Sequence, residues 1–153
     1  MSVPRYPDLG AAPRGWTRGQ VGATLRLVPP GADLDRSRAA MIVSALVPCD
    51  PLAASPAALV ERALAREVHG AGAEILYQSD PSPYQTTSGL QGVRVEATIQ
   101  RTSDQQIERS ALVLLQDRAW VYCFTYIADE DVYEHFRDTF NQVAASILPH
   151  PAG

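Results

Sequence analysis

The sequence predicts an α+β domain: an antiparallel sheet of about five to six strands with two main helices packed on it. Three observations predict it. Residues 90–128 hold three long strand-like runs joined by connections short enough to demand antiparallel hairpins. Segments 55–70 and 129–148 instead carry apolar residues at helical spacing, one before those runs and one after them. The 153 residues are 46% hydrophobic and 20% charged, enough chain for one domain with a proper core. The expected organisation is an irregular arm over 1–20, a single domain over 21–148 and a Pro-rich tail over 149–153.

In chain order, the arm is rich in Pro, Gly and Arg, with isolated Tyr6, Leu9 and Trp16. Residues 23–28 alternate Ala23, Leu25 and Leu27 with Thr24 and Arg26, and Pro29-Pro30-Gly31 stops this first strand. A second strand, 39–47, sets Met41, Val43, Ala45 and Val47 on one face, until Pro48 and Pro51 end it. Ser55 as N-cap, Pro56 at the first helical position and Gly70 beyond the end bracket the first helix. Its stripe is Leu59, Val60, Ala63, Leu64 and Val68. Residues 73–78 read as a short strand, and 79–88, with Pro81 and Pro83, as a loop. The three long strands follow over 90–101, 105–116 and 119–128. The closing helix, 129–148, has the stripe Val132, Phe136, Phe140, Val143 and Ile147. Asp129, Glu130 and Asp131 sit at its positive end, and Pro149 and Pro151 stop it.

The hairpins sort the sheet faces. A two-residue turn at Asp117-Arg118 opposes Leu115 to Trp120, Val113 to Tyr122, Ala111 to Phe124 and Arg109 to Tyr126. A turn centred on Ser103-Asp104 opposes Arg94 to Val113, Glu96 to Ala111 and Thr98 to Arg109. Opposed residues share a face. One face then gathers Val93, Val95, Ala97, Ile99, Leu112, Leu114, Val121, Cys123 and Ile127, an aliphatic core covered by the helices. The other gathers Arg94, Glu96, Arg109, Val113, Trp120, Tyr122, Phe124 and Tyr126, an amphipathic surface with an aromatic row. Two explanations of that row stay open. The arm, through Tyr6, Leu9 and Trp16, or another helix buries it; or it is an interface for a partner protein or a second copy, which aromatics with Arg favour.

Composition narrows the function. Net charge is −4, which offers no electrostatic footprint for nucleic acid. No apolar run reaches the ~18–20 residues of a membrane-spanning helix, so no integral membrane association is expected. All thirteen basic residues are Arg, so no Schiff-base or phosphate-loop lysine exists. Met1 to Trp16 lacks the apolar stretch of a signal peptide, and the expected compartment is the cytoplasm. Cys49, between Pro48 and Asp50, lacks the positive neighbour a nucleophile wants. His69, His135 and His150 have no metal-ligand spacing. Gly70-Ala71-Gly72 follows a helix and lacks the third glycine of a dinucleotide loop. No catalytic residue, metal or cofactor is expected.

One stretch resembles a known family. The run Ala119-Trp-Val-Tyr-Cys-Phe-Thr-Tyr-Ile-Ala128 is followed by Asp-Glu-Asp-Val-Tyr-Glu-His-Phe-Arg-Asp-Thr-Phe and closes on Ala-Ala-Ser-Ile-Leu148. A hydrophobic strand, an acidic cap and a helix with two Phe four apart is similar to the end of PsbP-like domains. The helix over 55–70 fits that family's first helix, and the resemblance covers about 16–148. The fold includes photosystem PsbP proteins, a Ran-binding release factor, and DcrB-like and bacterial lipoprotein families; dimeric adaptor chaperones of secretion systems are an analogue. The resemblance implies a non-catalytic protein-binding or adaptor/chaperone module. It implies a homodimer with a partner or secreted substrate protein on the exposed sheet face. The alternative is a small-molecule carrier or enzyme with a pocket between the sheet and the 79–88 loop.

Overall fold

The structure, a computed structural model, describes residues 9, 13–21, 24–34, 37–44, 47–48, 72–117 and 120–148. The first helix expected over 55–70, Cys49, His69 and the 149–153 tail lie outside the described residues.

Alternating sequence becomes sheet. The strands are β1 (Thr17–Val21), β2 (Thr24–Val28), β3 (Ala39–Ser44), β4 (Val47–Pro48), β5 (Ala73–Gln78), β6 (Ser82–Gln85), β7 (Gln91–Arg101), β8 (Ile107–Asp117) and β9 (Trp120–Asp129). One helix, α1 (Tyr133–Ala145), completes the described fold. A single antiparallel sheet runs β1-β2-β3-β9-β8-β7-β5, with β4 also on β9 and β6 also on β7.

The sheet has more strands than the sequence pattern predicts: the expected 39–47 strand is represented by β3 and the separate β4, and two strands fall where none was expected. β1 falls in the expected irregular arm, because Thr17-Arg18-Gly19-Gln20-Val21 has no apolar alternation and pairs only with β2. β6 falls in the expected 79–88 loop. It contains Pro83, which an edge strand tolerates because a missing N–H on the open side breaks no ladder bond. Beyond β6, Thr87 donates its N–H and its hydroxyl to Ala145 O, both at 2.9 Å, and Ser88 donates to Ile147 O at 2.8 Å. These bonds take up carbonyls that the end of α1 leaves without helical partners.

The first hairpin register is as expected: Arg94, Glu96 and Thr98 oppose Val113, Ala111 and Arg109. The second differs by two residues. Asp117, expected in the turn, pairs with Trp120 in place of Leu115, so Leu115 faces Tyr122, Val113 faces Phe124 and Ala111 faces Tyr126. A two-residue shift preserves side-chain parity, so the division of faces survives it.

α1 starts four residues later than expected. Asp129 is the last residue of β9; its N–H donates to Arg38 O at 2.9 Å, and the N–H of Glu130 donates to Ile107 O at 3.1 Å. Strand pairing holds the acidic segment, and no side chain caps Val132. The acids serve a tertiary contact instead: Arg38 pairs with Asp129 at 2.9 Å and with Asp131 at 2.6 Å.

Both sheet faces carry buried residues. The aliphatic face is buried as expected, with Val95, Ala97, Ile99, Leu112 and Leu114 at most 3% exposed, but the closing helix expected to cover it lies on the other face. The aromatic face is core as well, which corrects its assignment as an exposed surface. Val113, Tyr122, Phe124 and Tyr126 are 0–2% exposed, and Trp120 packs half-buried against them. α1 lies on them: Phe140 stacks on Phe124 with centroids 5.1 Å apart, and Tyr133 stacks on Tyr126 at 4.9 Å. Leu9 joins the same cluster, and Trp16 meets Phe136 edge-on at 5.4 Å. Burying one large apolar side chain contributes roughly 1.5–3 kcal/mol, so a row of them has no reason to face water when a helix stripe can cover it.

Candidate functional site

The sheet register shows where that face stays open. Cross-strand rows run from the β5–β6 edge to β2, and every row changes character on the way. One begins Tyr77–Thr98–Arg109 and ends in Ala128 and Ala39. The next runs from Glu96 through Ala111 and Tyr126 to Met41 and Leu27. A third runs from Ser82 and Arg94 through Val113 and Phe124 to Val43 and Leu25. The apolar ends lie under α1. The polar ends form a shelf beside it on β5, β6 and β7.

Parity on β5 is set by an irregularity. Ile75 opposes Ile99, but Tyr77 opposes Thr98, so one extra residue bulges between them. The bulge turns Tyr77 onto the same face as Arg94, Glu96 and Arg109. Tyr77 is 59% exposed and Leu76, at the bulge, is 50% exposed.

At the inner border of the shelf, the flank of α1 meets β7 and β8. Arg94 donates to Asn141 Oδ1 at 3.0 Å, pairs with Glu96 at 3.3 Å, and lies over the Phe140 ring at 5.6 Å. Arg109 pairs with Glu134 at 2.9 Å, and its guanidinium carbon is 4.3 Å from the centroid of Tyr133. Arg137 reaches the same Glu134 at 3.1 Å. Each guanidinium thus rests on a buried aromatic of α1 while its N–H groups pair with Glu96 and Asn141 or with Glu134, as cation–π geometry allows.

Tyr133 is the buried polar group of this border. The residue is 1% exposed, and its hydroxyl has no hydrogen-bond partner among the described residues. Burial first, then the Glu96 carboxylate, pushes its titration up, while Arg109, Arg94 and Arg137 oppose the shift. Burial also raises Tyr126, whose hydroxyl donates to Tyr133 O at 2.7 Å. Neither phenol supplies a base near neutral pH.

Of the eight residues singled out from sequence, the structure brings Arg94, Glu96 and Arg109 together at the shelf. It places Val113, Tyr122, Phe124 and Tyr126 beneath α1 and leaves Trp120 at the margin of the core. The sequence reasoning missed Tyr77, Tyr133, Glu134, Arg137 and Asn141. The last three were readable as one polar flank at helical spacing; Tyr77 was not, because the bulge reverses its face.

A second feature lies across α1 from the shelf. A cavity of about 330 Å³ is lined by Pro29, Ala32, Ala39, Val132 and Phe136, together with the polar Ser37 and Arg38. His135 packs edge-on to Phe136 at 4.5 Å. Among the described residues no three His, Cys, Asp or Glu side chains converge on one point. No described helix is long and apolar enough to cross a membrane.

No protein-family model and no curated protein matches the sequence. Solved structures do match in fold. LpqN of Mycobacterium tuberculosis, involved in cell envelope biogenesis, aligns with a TM-score of 0.62 at 14% identity, over 92% of this chain and 82% of that one. The cyanobacterial PsbP protein CyanoP of Synechocystis sp. PCC 6803 aligns with a TM-score of 0.56 at 14% identity, over 90% and 84%. PA94 of Pseudomonas aeruginosa, described as a putative regulator of unknown function, aligns at 0.50 and 16% identity, over 90% and 99%. The chain has a PsbP-like fold.

Proposed function

We propose that the protein is a non-catalytic accessory module that binds a partner protein, as an adaptor or chaperone, on the shelf of β5, β6 and β7 beside α1. The observation that carries this reading is the exposed Tyr77 on the same face as Arg94, Glu96 and Arg109. An aromatic anchor with arginines around it has the composition that protein interfaces favour. The fold-level likeness to CyanoP and LpqN supports an accessory role and does not name a partner.

Selection of a random linear peptide display library against the immobilised protein tests the reading. Enriched peptides should lose binding to Tyr77→Ser and Arg109→Ala and keep it with Arg38→Ala, which lies across α1. Equal loss in all three, or no enrichment, would falsify it. Sedimentation adds a second arm: a homodimer on this shelf becomes monomeric with Tyr77→Ser, whereas a wild-type monomer removes the second copy as the occupant.

A second reading, a small-molecule carrier, is favoured by the cavity at Phe136, which is not the expected pocket beside the 79–88 loop, because its ~330 Å³ lies in the range of ligand sites. A thermal-shift screen against apolar metabolites should then give stabilisation that Ala32→Trp abolishes. Uniformly flat shifts would end that reading.

A further inference from the structure

β5 is the outermost strand on its side of the sheet, beyond β7. We propose that its free edge binds a basic, extended segment of the partner protein as an added antiparallel strand. This rests on the protein-binding reading and names what the partner presents there.

The ladder to β7 shows which backbone groups are already paired. Thr102 N–H donates to Gly72 O at 3.0 Å. Hydrogen-bonded and non-hydrogen-bonded pairs alternate along an antiparallel ladder. Glu74 therefore turns its backbone to Gln100, while Ala73 and Ile75 turn theirs away from β7. Beyond the bulge, Ser79 N–H donates to Glu96 O at 2.8 Å, so Tyr77 is bonded to Thr98 and Gln78 turns outward. Among the described strands none takes up these outward groups. On β6, the pairing of Ser82 with Arg94 continues the alternation and turns Pro83 outward, where its missing N–H ends the usable edge.

Unpaired edge groups are a template for an incoming strand. Charge selects which strand. Glu74 opposes Gln100 and so shares the shelf face with Tyr77. Glu74 and, just past the strand, Asp80 are exposed, and neither has an ion-pair partner among the described residues. Arg101, opposite Ala73, is held by Asp104 and Glu108, each at 3.2 Å. The edge is left with two unbalanced carboxylates, which a basic segment complements. An arginine of the added strand set against Glu74 pairs with it, and the next on that face lies beside the exposed Tyr77 ring. The residues between them share a face with Ile75, which favours apolar ones. A second copy fits worse. Matching Ala73 of one copy to Ile75 of the other sets the two Glu74 side chains directly opposite, a destabilising like-charge pair.

The test titrates an end-capped hexapeptide alternating Arg and Val into the full chain labelled with ¹⁵N. Binding should shift the amides of Ala73 and Ile75 and slow their exchange with solvent, because those N–H groups gain acceptors. Register dictates a sharper result. With Arg opposite Glu74 in an antiparallel pair, the Val N–H groups face β5 and the Arg N–H groups face away. Methylating the Val nitrogens should therefore abolish binding, and methylating the Arg nitrogens should spare it. A Glu-for-Arg counterpart should not bind. Glu74→Gln should weaken the Arg peptide about threefold, and less in high salt. Equal binding of the two methylated peptides overturns the added strand, and the reverse pattern overturns its antiparallel direction. Equal binding of the Glu-for-Arg peptide overturns the basic partner. Protection of the same amides in a peptide-free dimer assigns the edge to a second copy and overturns the partner segment. Failure of the Arg peptide, while display-selected peptides still depend on Tyr77, overturns this inference and leaves the protein-binding reading standing.

Discussion

Arg109 lies on the face of Tyr133, its guanidinium carbon 4.3 Å from the ring centroid, while its Nη1 pairs with Glu134 at 2.9 Å. One strand residue thus touches consecutive residues of α1, a buried aromatic and an exposed acid. It marks the line at which the covered half of the sheet face becomes the open half. Stability and recognition therefore divide along that line, and substitutions on its two sides should behave differently.

On the covered side, Phe140 is fully buried and stacks on Phe124 and, at 5.4 Å, on Tyr126. Phe140→Ala should cost about 3–5 kcal/mol in urea unfolding, and the pair Tyr122→Ser with Phe124→Ser should not fold. A loss under about 1 kcal/mol for Phe140→Ala would show that α1 is not seated on the aromatic row.

On the open side, Tyr77→Ser should leave unfolding free energy within about 0.5 kcal/mol of the wild type. The side chain is 59% exposed and belongs to neither buried cluster. A large destabilisation in the same urea experiment would make Tyr77 a packing residue and remove the anchor of the shelf.

Gly92 tests the β7–β8 pairing. A Cβ there would stand 1.8 Å from the carbonyl oxygen of Leu114, a backbone atom that cannot move aside alone. Gly92→Ala should therefore cost about 1–3 kcal/mol, with amide protection falling first along β7 and β8 in hydrogen exchange. Unchanged protection would mean the strands separate more readily than this close approach implies.

Asp131 gives a pH dependence. Its hydrogen bond to Arg38 holds the carboxyl below the usual range, against a smaller desolvation effect. A lowered native value means the contribution is present above the unfolded pKa of about 3.9 and is lost as pH falls through the lower native value. Asp131→Asn should lower the melting temperature at pH 7, and the gap should close as pH falls through the lowered native value and shrink in high salt. A gap independent of pH and salt would assign the effect to packing rather than charge.

Much of the fold was legible because its signals are local. The turn centred on Ser103-Asp104 places Thr98 against Arg109, since a hairpin this short leaves little freedom of register. The second hairpin differs by two residues without disturbing the faces, since parity depends only on even or odd displacement. β1 and β6 were not legible: a polar edge strand and a Pro-containing one lack the alternation that betrays a strand. The start of α1 was obscured because an acidic run before a helix looks the same whether it caps the helix or, as here, ends a strand and binds Arg38.

The candidate site was half legible. Arg94, Glu96 and Arg109 follow from hairpin parity alone. Tyr77 and Tyr133 depend on distant pairings: β5 reaches β7 across an intervening strand, with a bulge at 75–77, and α1 folds back over β9.

By itself, the sequence determined the parity of the long strands, and so which residues share a face, because alternation and short connections are properties of the backbone over a few residues. Only the tertiary structure decided which part of the aromatic face is covered. Both faces of these strands are apolar enough to be core, and no local rule ranks them. Seating Phe140 on Phe124 and Tyr133 on Tyr126 buries the row across β3, β9 and β8. The same helix does not cover β5, so Tyr77 stays exposed, while Arg94 and Glu96 on β7 lie half-buried at its border.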